Sequence, residues 1–355
     1  MSRTNFNIIG FFLSEIGLGN TARYIAHSML SENFHANYIN MHLEGRSNDL
    51  EFVSQCCAYE PNKVNFVVIG LDGIDWVYSQ IQQSGPYLRN YLYPFWELDR
   101  IPHEKLKGLS SYDEIIAPST FIANTFSNFL GKEIKKILHP VRIPSIISPN
   151  LIKGRTLKIF SFMDFDSYVA RKNPQGILDA FKLAFPKHYD DVELIIKVRG
   201  FKDLGAREML QAHCAKDPRI KIIDKTLPRD AMDALLEECN VYISMHRSEG
   251  FGLGPAEALA HEKIVISTDY GGTTDFISKN TGYPVDYKLI PVESNAYLFG
   301  QNQMWAEPSV DSAAESLRDI YHNYDNAMLR GINGRKLMIK QHSFHAAGKA
   351  LRLLI

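Results

Sequence analysis

The chain has almost no excess charge. Its 39 Lys and Arg stand against 40 Asp and Glu, for a formal net charge of −1. A general nucleic-acid binder carries a basic excess, so no nucleic-acid partner is expected. Cysteine is scarce: in 355 residues there are four, Cys56, Cys57, Cys214 and Cys239. They show neither paired metal spacing nor a disulfide framework, which fits a reducing compartment. Cys56 and Cys57 are adjacent, and small residues at a core edge are a plainer account of them than a redox pair. No apolar run reaches the length of a membrane span, and the first residues lack the apolar core of a signal peptide. A cytoplasmic protein is therefore expected. The twelve histidines form no i, i+4 pair with a flanking Glu, and there is no Gly-x-Ser-x-Gly elbow and no Walker loop. Zinc-protease, serine-hydrolase and phosphate-loop kinase chemistry thus lack their minimum parts. Solenoid repeats and low-complexity tracts are absent too.

What is present is a long alternation of strand and helix patterns. At this length two domains are the better prior, and an apolar content of 45% supplies two cores. Strands are expected at Asn5–Phe12, Ala36–His42, Val64–Leu71, Tyr91–Trp96, Tyr112–Pro118 and Ile134–His139. A second series follows at Leu157–Phe165, Val192–Val198, Ile220–Ile223, Asn240–His246 and Ile264–Ser267. Helical patterns such as Thr21–Leu30, Trp76–Gln83, Phe121–Leu130, Gln175–Phe185, Ala206–Ala215 and Arg229–Glu238 lie between them. This rhythm implies α/β architecture with parallel sheets. Pro144 and Pro149 interrupt it, so the expected division is a first domain over 1–142, a linker over 143–156 and a second domain over 157–325. A basic helical segment, 326–355, would then pack back on the first domain. Open parallel sheets bind ligands at the carboxyl ends of their strands, so two such domains can share a cleft.

The most informative stretch is Ser248-Glu249-Gly250-Phe251-Gly252-Leu253-Gly254-Pro255-Ala256-Glu257-Ala258. It follows a strand and runs into an Ala-rich helix, with Pro255 suited to the first helical position and Glu257 to the first turn. Gly250 and Gly252 permit strained dihedrals and leave backbone N–H groups uncovered, which suits a phosphate at a helix start. A carboxylate on either side can accept from sugar and ribose hydroxyls. Read without context, the pattern is equally an ordinary strand-to-helix turn whose acids complement the helix dipole. Arg171 and Lys172 follow the Leu157–Phe165 strand by a short loop, just before a helix that Pro174 begins. Cations at a helix N-terminus oppose its dipole, and a diphosphate leaving group would give them a purpose.

Together with Ile264–Thr268 and Gly271-Gly272, the Glu249–Glu257 stretch closely resembles the donor-site signature of the family 4 retaining glycosyltransferases. The resemblance is specific from about Leu157 to Ile277 and looser before that. It implies two consecutive Rossmann-like domains facing a central cleft, the GT-B fold. It places Glu249 at the transferred sugar, Glu257 on the nucleotide ribose, and Gly250, Phe251, Gly252 and Leu253 at the donor. Arg171 and Lys172 take the leaving diphosphate, Lys172 being the better match. Independently of the resemblance, Lys197 and Arg199, at the end of the Val192–Val198 strand, are candidates to reach the nucleotide. In the first domain the family brings the loop of Gly17 and Gly19 to the donor phosphates, with Asn20 expected as the helix N-cap. Members that build bacterial surface polysaccharides carry a Trp-Glu like Trp96-Glu97. An aromatic plane beside a carboxylate suits an acceptor sugar, and a core Trp with a surface Glu is the alternative. Asp72, at the end of Val64–Leu71, is a further acceptor-side candidate.

The activity so implied moves a sugar from a nucleoside-diphosphate sugar to the hydroxyl of a saccharide or lipid-linked saccharide, with retention and without a metal or other cofactor. Asp164-Phe165-Asp166 has the spacing of a metal-holding pair, but it belongs to the wrong fold for that role and is expected to shape the Arg171–Lys172 loop. A sugar-nucleotide epimerase of the same fold and a non-catalytic sugar-nucleotide binder are the alternatives. After Asp325 no acid follows, while Arg330, Arg335, Lys336, Lys340, Lys349 and Arg352 continue to the end. A basic helix against the first domain is the favoured reading. Weak peripheral contact with an anionic membrane is the sharper one.

Overall fold

The computed structural model describes residues 6–43, 52–152, 156–200 and 202–354. The chain forms two compact units, Met1–Arg142 with Ile339–Ile355, and Ile143–Met338.

In the first unit, β1 (Phe6–Gly10), β2 (Ala36–Asn40), β3 (Val64–Gly70), β4 (Arg89–Phe95), β5 (Glu114–Ala117) and β6 (Lys135–Lys136) form one sheet in the order β2-β1-β3-β4-β5-β6. All its pairings are parallel. Helices cover both faces of such a sheet, so β1 and β3 are buried throughout and read as nearly unbroken apolar runs. The interruptions are asparagines. Asn7, Asn65 and Asn90 are cross-strand partners in register and fully buried. Asn7 Nδ2 donates to Asn65 Oδ1 at 2.9 Å, and Asn65 Nδ2 donates to Asn90 Oδ1 at 2.7 Å. Asn37 on β2 donates to Asn7 Oδ1 at 3.2 Å. A slip of one residue would break every rung, so the ladder specifies register where an apolar core alone would not.

The second unit repeats the plan. Its strands β7 (Leu157–Asp164), β8 (Val192–Arg199), β9 (Ile220–Asp224), β10 (Val241–Ser244), β11 (Ile264–Thr268) and β12 (Tyr283–Val285) form a parallel sheet ordered β12-β11-β10-β7-β8-β9. Strand order reverses between β7 and β10, so the loops that leave those two strands flank a topological switch point, where open α/β sheets bind ligands. In the first unit the reversal falls between β1 and β3. An antiparallel hairpin, β13 (Tyr287–Pro291) and β14 (Met304–Pro308), completes the second unit.

The eleven strand patterns read from the sequence each have a counterpart in these sheets, while β12 and the hairpin went unread. β13 is mostly exposed and ends at Pro291, so it lacks the buried run that marks strands such as β3, β10 and β11. Two boundaries differ from expectation. Of the expected linker, the described residues 143–152 do not stand apart, because Asn150 is buried in the second unit, donating to Asn240 O at 3.0 Å and accepting from the Tyr324 hydroxyl at 2.8 Å. The basic C-terminal segment is divided between the units. Helix Tyr324–Leu337 stays with the second, where the Arg330 guanidinium lies 3.8 Å from the Tyr283 ring centroid and Arg335 donates to Pro144 O at 2.6 Å. Only Ile339 onward joins the first unit. There helix Phe344–Leu354 crosses helix Gly17–Ser31 so closely that a Cβ on Gly348 would lie 2.3 Å from Ser28 O. Arg352 and His345 pair with the buried Glu32 at 3.1 and 2.9 Å.

Replacing Asn65 by Leu would leave Asn7 Nδ2 without its Asn65 acceptor, though still donating to Glu60 O at 2.8 Å, and would strand Asn90 Oδ1 in the sheet interior. Urea unfolding should show a loss on the order of 3 kcal/mol. A loss within experimental scatter would mean that the ladder is not a stabilising network.

Candidate functional site

Three loops meet at the switch point of the second unit. The first runs from β10 to helix Leu253–Ala260. Glu249 is only 8% exposed in this loop, and the loop after β11 is stacked on its backbone. Gly272 N donates to Glu249 O at 2.7 Å, and a Cβ on Gly272 would sit 2.1 Å from Gly250 O. Gly252, with φ +92°, is the N-cap, and a Cβ there would meet Thr273 Cγ2 at 2.4 Å. The Gly-rich pattern is thus required by close backbone approach and by left-handed geometry.

The helix begins at Leu253, two residues before the expected start at Pro255, so Glu257 lies beyond the first turn. No side chain caps this helix start, which leaves its first N–H groups to an external acceptor. Glu257 pairs with Arg229 Nη1 at 2.7 Å, and Arg229 Nε with Asp233 at 3.0 Å.

The second loop leaves β7 and carries Arg171 and Lys172. They occupy the end of a one-turn helix, Val169–Lys172, rather than the start of the next one. At that end cations complement the dipole, so the dipole conflict expected from the sequence does not arise. Asn173, at φ +51°, turns the chain and accepts from Gly176 N at 3.2 Å, and Pro174 begins the following helix as expected. Arg171 is buried. Its Nη1 donates to Ser248 O at 2.9 Å and pairs with Glu249 Oε2 at 2.9 Å. Lys172 Nζ pairs with Glu249 Oε1. Burial pushes the Glu249 carboxyl up, but Arg171, Lys172 and His246 outweigh it and hold the group well below the usual carboxylate range.

Two further side chains at the site escaped the sequence reading. His246, fully buried, has Nε2 at 3.0 Å from Tyr270 O and Nδ1 at 3.0 Å from Ser244 Oγ. A carbonyl only accepts, so Nε2 carries the proton and Nδ1 accepts from the hydroxyl. Tyr242 lies beneath the helix start, where a Cβ on Gly254 would be 2.3 Å from its hydroxyl. Burial, then the charges of Glu249 and Glu257, push its phenol well above the ordinary value. The sequence signal was a Tyr and a His in a short buried strand pattern, which core packing alone would equally produce.

The other candidates are dispersed. Lys197, on β8, is 2% exposed, with its ammonium 4.8 Å from the Phe162 ring centroid. Asp164 pairs with Arg199 at 2.8 Å and accepts from Asp166 N at 3.0 Å, while Asp166 accepts from Lys202 N at 3.0 Å. Both acids therefore shape the loop after β7. Among the described residues no group of three or more His, Cys, Asp or Glu is placed to hold a metal.

In the first unit, Gly17 opens helix Gly17–Ser31 after β1, and a Cβ on Gly19 would lie 2.0 Å from Ser14 O. The N-cap is Ile16, not Asn20; Asn20 lies inside the helix and accepts from Arg23 Nη2 at 2.5 Å. Asp72 is exposed in the turn after β3, so it and the Gly17–Gly19 loop flank that unit's own switch point. Trp96 is buried to 2% exposure, and its Nε1 donates to Arg100 O at 2.9 Å. Its rings belong to the core, which corrects the reading of Trp96 as a sugar platform. Glu97 is half-buried beside it.

The chain has the two-domain α/β fold of the GT-B glycosyltransferases. Residues 162–337, just under half of the chain, match the family model described as glycosyl transferases group 1, and all three loops of the site fall within that match. HepE from Anabaena, solved in complex with UDP-glucose, is 11% identical with a TM-score of 0.72, the alignment covering 99% of this chain and 98% of that one. Sucrose-phosphate synthase from Thermosynechococcus elongatus is 13% identical with a TM-score of 0.71, over 99% and 98%. A TarM variant from S. aureus, in a complex that includes UDP, is 15% identical with a TM-score of 0.60; 82% of this chain spans 55% of the length of that protein. No curated protein sequence matches the chain significantly.

Burial pushes His246 down from the ordinary 6.5 to about 4. Between those values the unfolded chain binds a proton that the folded one refuses, so stability falls as pH drops from 6.5 to 4. His246→Gln should remove on the order of 2 kcal/mol of the stability lost between pH 7 and 4.5. Urea unfolding of both proteins at the two pH values checks this; equal losses would place the acid sensitivity elsewhere.

Proposed function

We propose that this chain is a retaining glycosyltransferase that takes a nucleoside-diphosphate sugar in its second unit. It transfers the sugar to the hydroxyl of a saccharide or lipid-linked saccharide, in the assembly of a surface polysaccharide. The observation that carries the reading is the cluster of Arg171, Lys172 and Glu249 beside an uncapped helix start at the switch point. Two fixed cations and a set of N–H donors suit the charge that develops on a departing diphosphate. Glu249 stays anionic and is held where the cations are held, so it can orient the sugar beside its leaving group. Glu257 is the ribose acceptor. No side chain at the site is arranged as a covalent nucleophile backed by its own base, which favours departure and attack on the same face of the sugar. The leaving phosphate then helps take the acceptor proton. Paired roles for Asp164 and Asp166 support transfer without a metal. No helix among the described residues is long and apolar enough to cross a membrane, and the acceptor would be met in the cytoplasm or at the membrane surface.

The experiment is a donor screen, beginning with UDP-sugars because UDP or UDP-glucose accompanies two of the similar structures. Transfer should give a product with the donor's anomeric configuration by NMR and should persist in EDTA. An inverted product, or activity lost in EDTA and restored by manganese, overturns the corresponding part. Conversion of donor to an isomer without acceptor would make the protein an epimerase, and binding without turnover a binder.

The two glutamates should separate kinetically. Glu257→Gln removes a contact made before and during reaction alike, so it should raise the donor KM and weaken binding of the free nucleoside diphosphate, with little change in kcat. Glu249→Gln removes a contact that strengthens as the sugar gains positive charge, so it should lower kcat and largely spare product affinity. Calorimetry beside steady-state kinetics measures both, and the reverse pattern would exchange the roles.

A further inference from the structure

Arg247 lies between His246 and the Ser248–Glu249 turn, and it joins three segments. Its backbone N donates to Arg171 O at 2.7 Å, and its Nη1 donates to Ala170 O at 2.8 Å. Both carbonyls belong to the one-turn helix that presents Arg171 and Lys172, whose last carbonyls have no partners within the helix. On the other side, Arg247 Nε pairs with Glu307 on β14 at 2.7 Å, and Arg247 O accepts from Ala306 N at 2.9 Å. The guanidinium lies 5.6 Å from the Trp305 ring centroid. A second tie runs parallel: Tyr168, which enters the cation loop at φ +45°, packs its ring 4.7 Å from that of Tyr297, between β13 and β14.

We propose that Arg247 is a positioning residue for the Arg171–Lys172 pair, and that the β13–β14 hairpin sets its orientation through Glu307. This rests on the donor-site reading above, and adds a residue and an element to it. The fork of Arg247 matters because one plane serves a carboxylate on one edge and a carbonyl on another, which a lysine cannot reproduce. The Arg247–Glu307 pair is partly exposed, its side chains 23% and 29% accessible, so it contributes little to stability. Its effect is geometric. Small displacements of a charge that must meet a leaving group cost far more in rate than in folding energy.

The test uses the full chain and the donor found by the screen. Arg247→Lys should lower kcat about tenfold or more, with a Tm close to wild type. Because Arg247 acts through the cations, adding Arg247→Lys to Lys172→Ala should cost much less than it does alone. Glu307→Gln, which leaves every loop residue in place, should lower kcat in the same direction and show the same dependence on Lys172. Hydrogen exchange of the 168–173 amides supplies a readout that needs no turnover, and it should speed up in both variants. Wild-type kcat in Arg247→Lys and Glu307→Gln would overturn the proposal. So would an equal loss with and without Lys172, or unchanged exchange across 168–173. A wild-type chain that turns over no donor would defeat the transferase reading instead, while the exchange result would still decide whether Arg247 holds the loop.

Discussion

The structure of the second unit turns on one buried anion. Glu249 sits where its carboxylate, taken alone, would be driven to its neutral form, and chiefly the nearness of Arg171 and Lys172 keeps it charged. The dependence is mutual. Arg171 is buried as well, and without Glu249 its guanidinium would keep Ser248 O and Ser167 Oγ but lose its counter-ion. Removing one partner from such a set leaves an uncompensated charge and costs several kcal/mol, whereas the intact set contributes little net stability. A cluster of this kind is an inefficient way to hold a fold together. It makes sense as charge fixed in place for something that binds there. The stacked glycines of Gly250, Gly271 and Gly272, the tautomer of His246 and the reach of Arg247 all hold its geometry.

The sequence showed the site loops of the second unit more clearly than the candidate residues of the first, for identifiable reasons. There Gly252 and Gly272 are required by left-handed geometry and close backbone approach, and Glu249 is paired with Arg171 and Lys172, so the pattern is readable as a signature. Parallel strands buried on both faces also announce themselves as apolar runs, which is why β1, β3, β7, β8, β10 and β11 were legible. What was missed depends on long-range contacts. β13 and β14 are partly exposed and draw their ordering from Arg247, Tyr168 and Tyr270, which are remote in sequence. Arg247, with a charged residue two positions after it, reads as surface charge until Ala170 and Glu307 are brought to it.

In the first unit the same logic explains the corrections. Asn20 has the composition of an N-cap, but Gly19 must lie against Ser14 O and Phe11 O, and that approach starts the helix at Gly17. Trp96 adjoins a carboxylate as a sugar platform would, yet its indole N–H finds Arg100 O within its own turn and its rings complete the core. The Asn7–Asn65–Asn90 ladder has no local signature at all. Three asparagines in three apolar strands look like interruptions until register makes them partners.

The ion cluster also bears on how a nucleotide would come and go. Arg171, Lys172 and Glu249 together carry one net positive charge, so on the proposed reading a diphosphate arrives at cations that are already partnered. The cations keep their alignment without a ligand because the carboxylate keeps it for them. What distinguishes the transition state is then the positive charge growing on the sugar beside Glu249 and the negative charge growing on the phosphate beside Lys172. Those charges exist together only during transfer, so the cluster favours that moment over the bound states on either side of it.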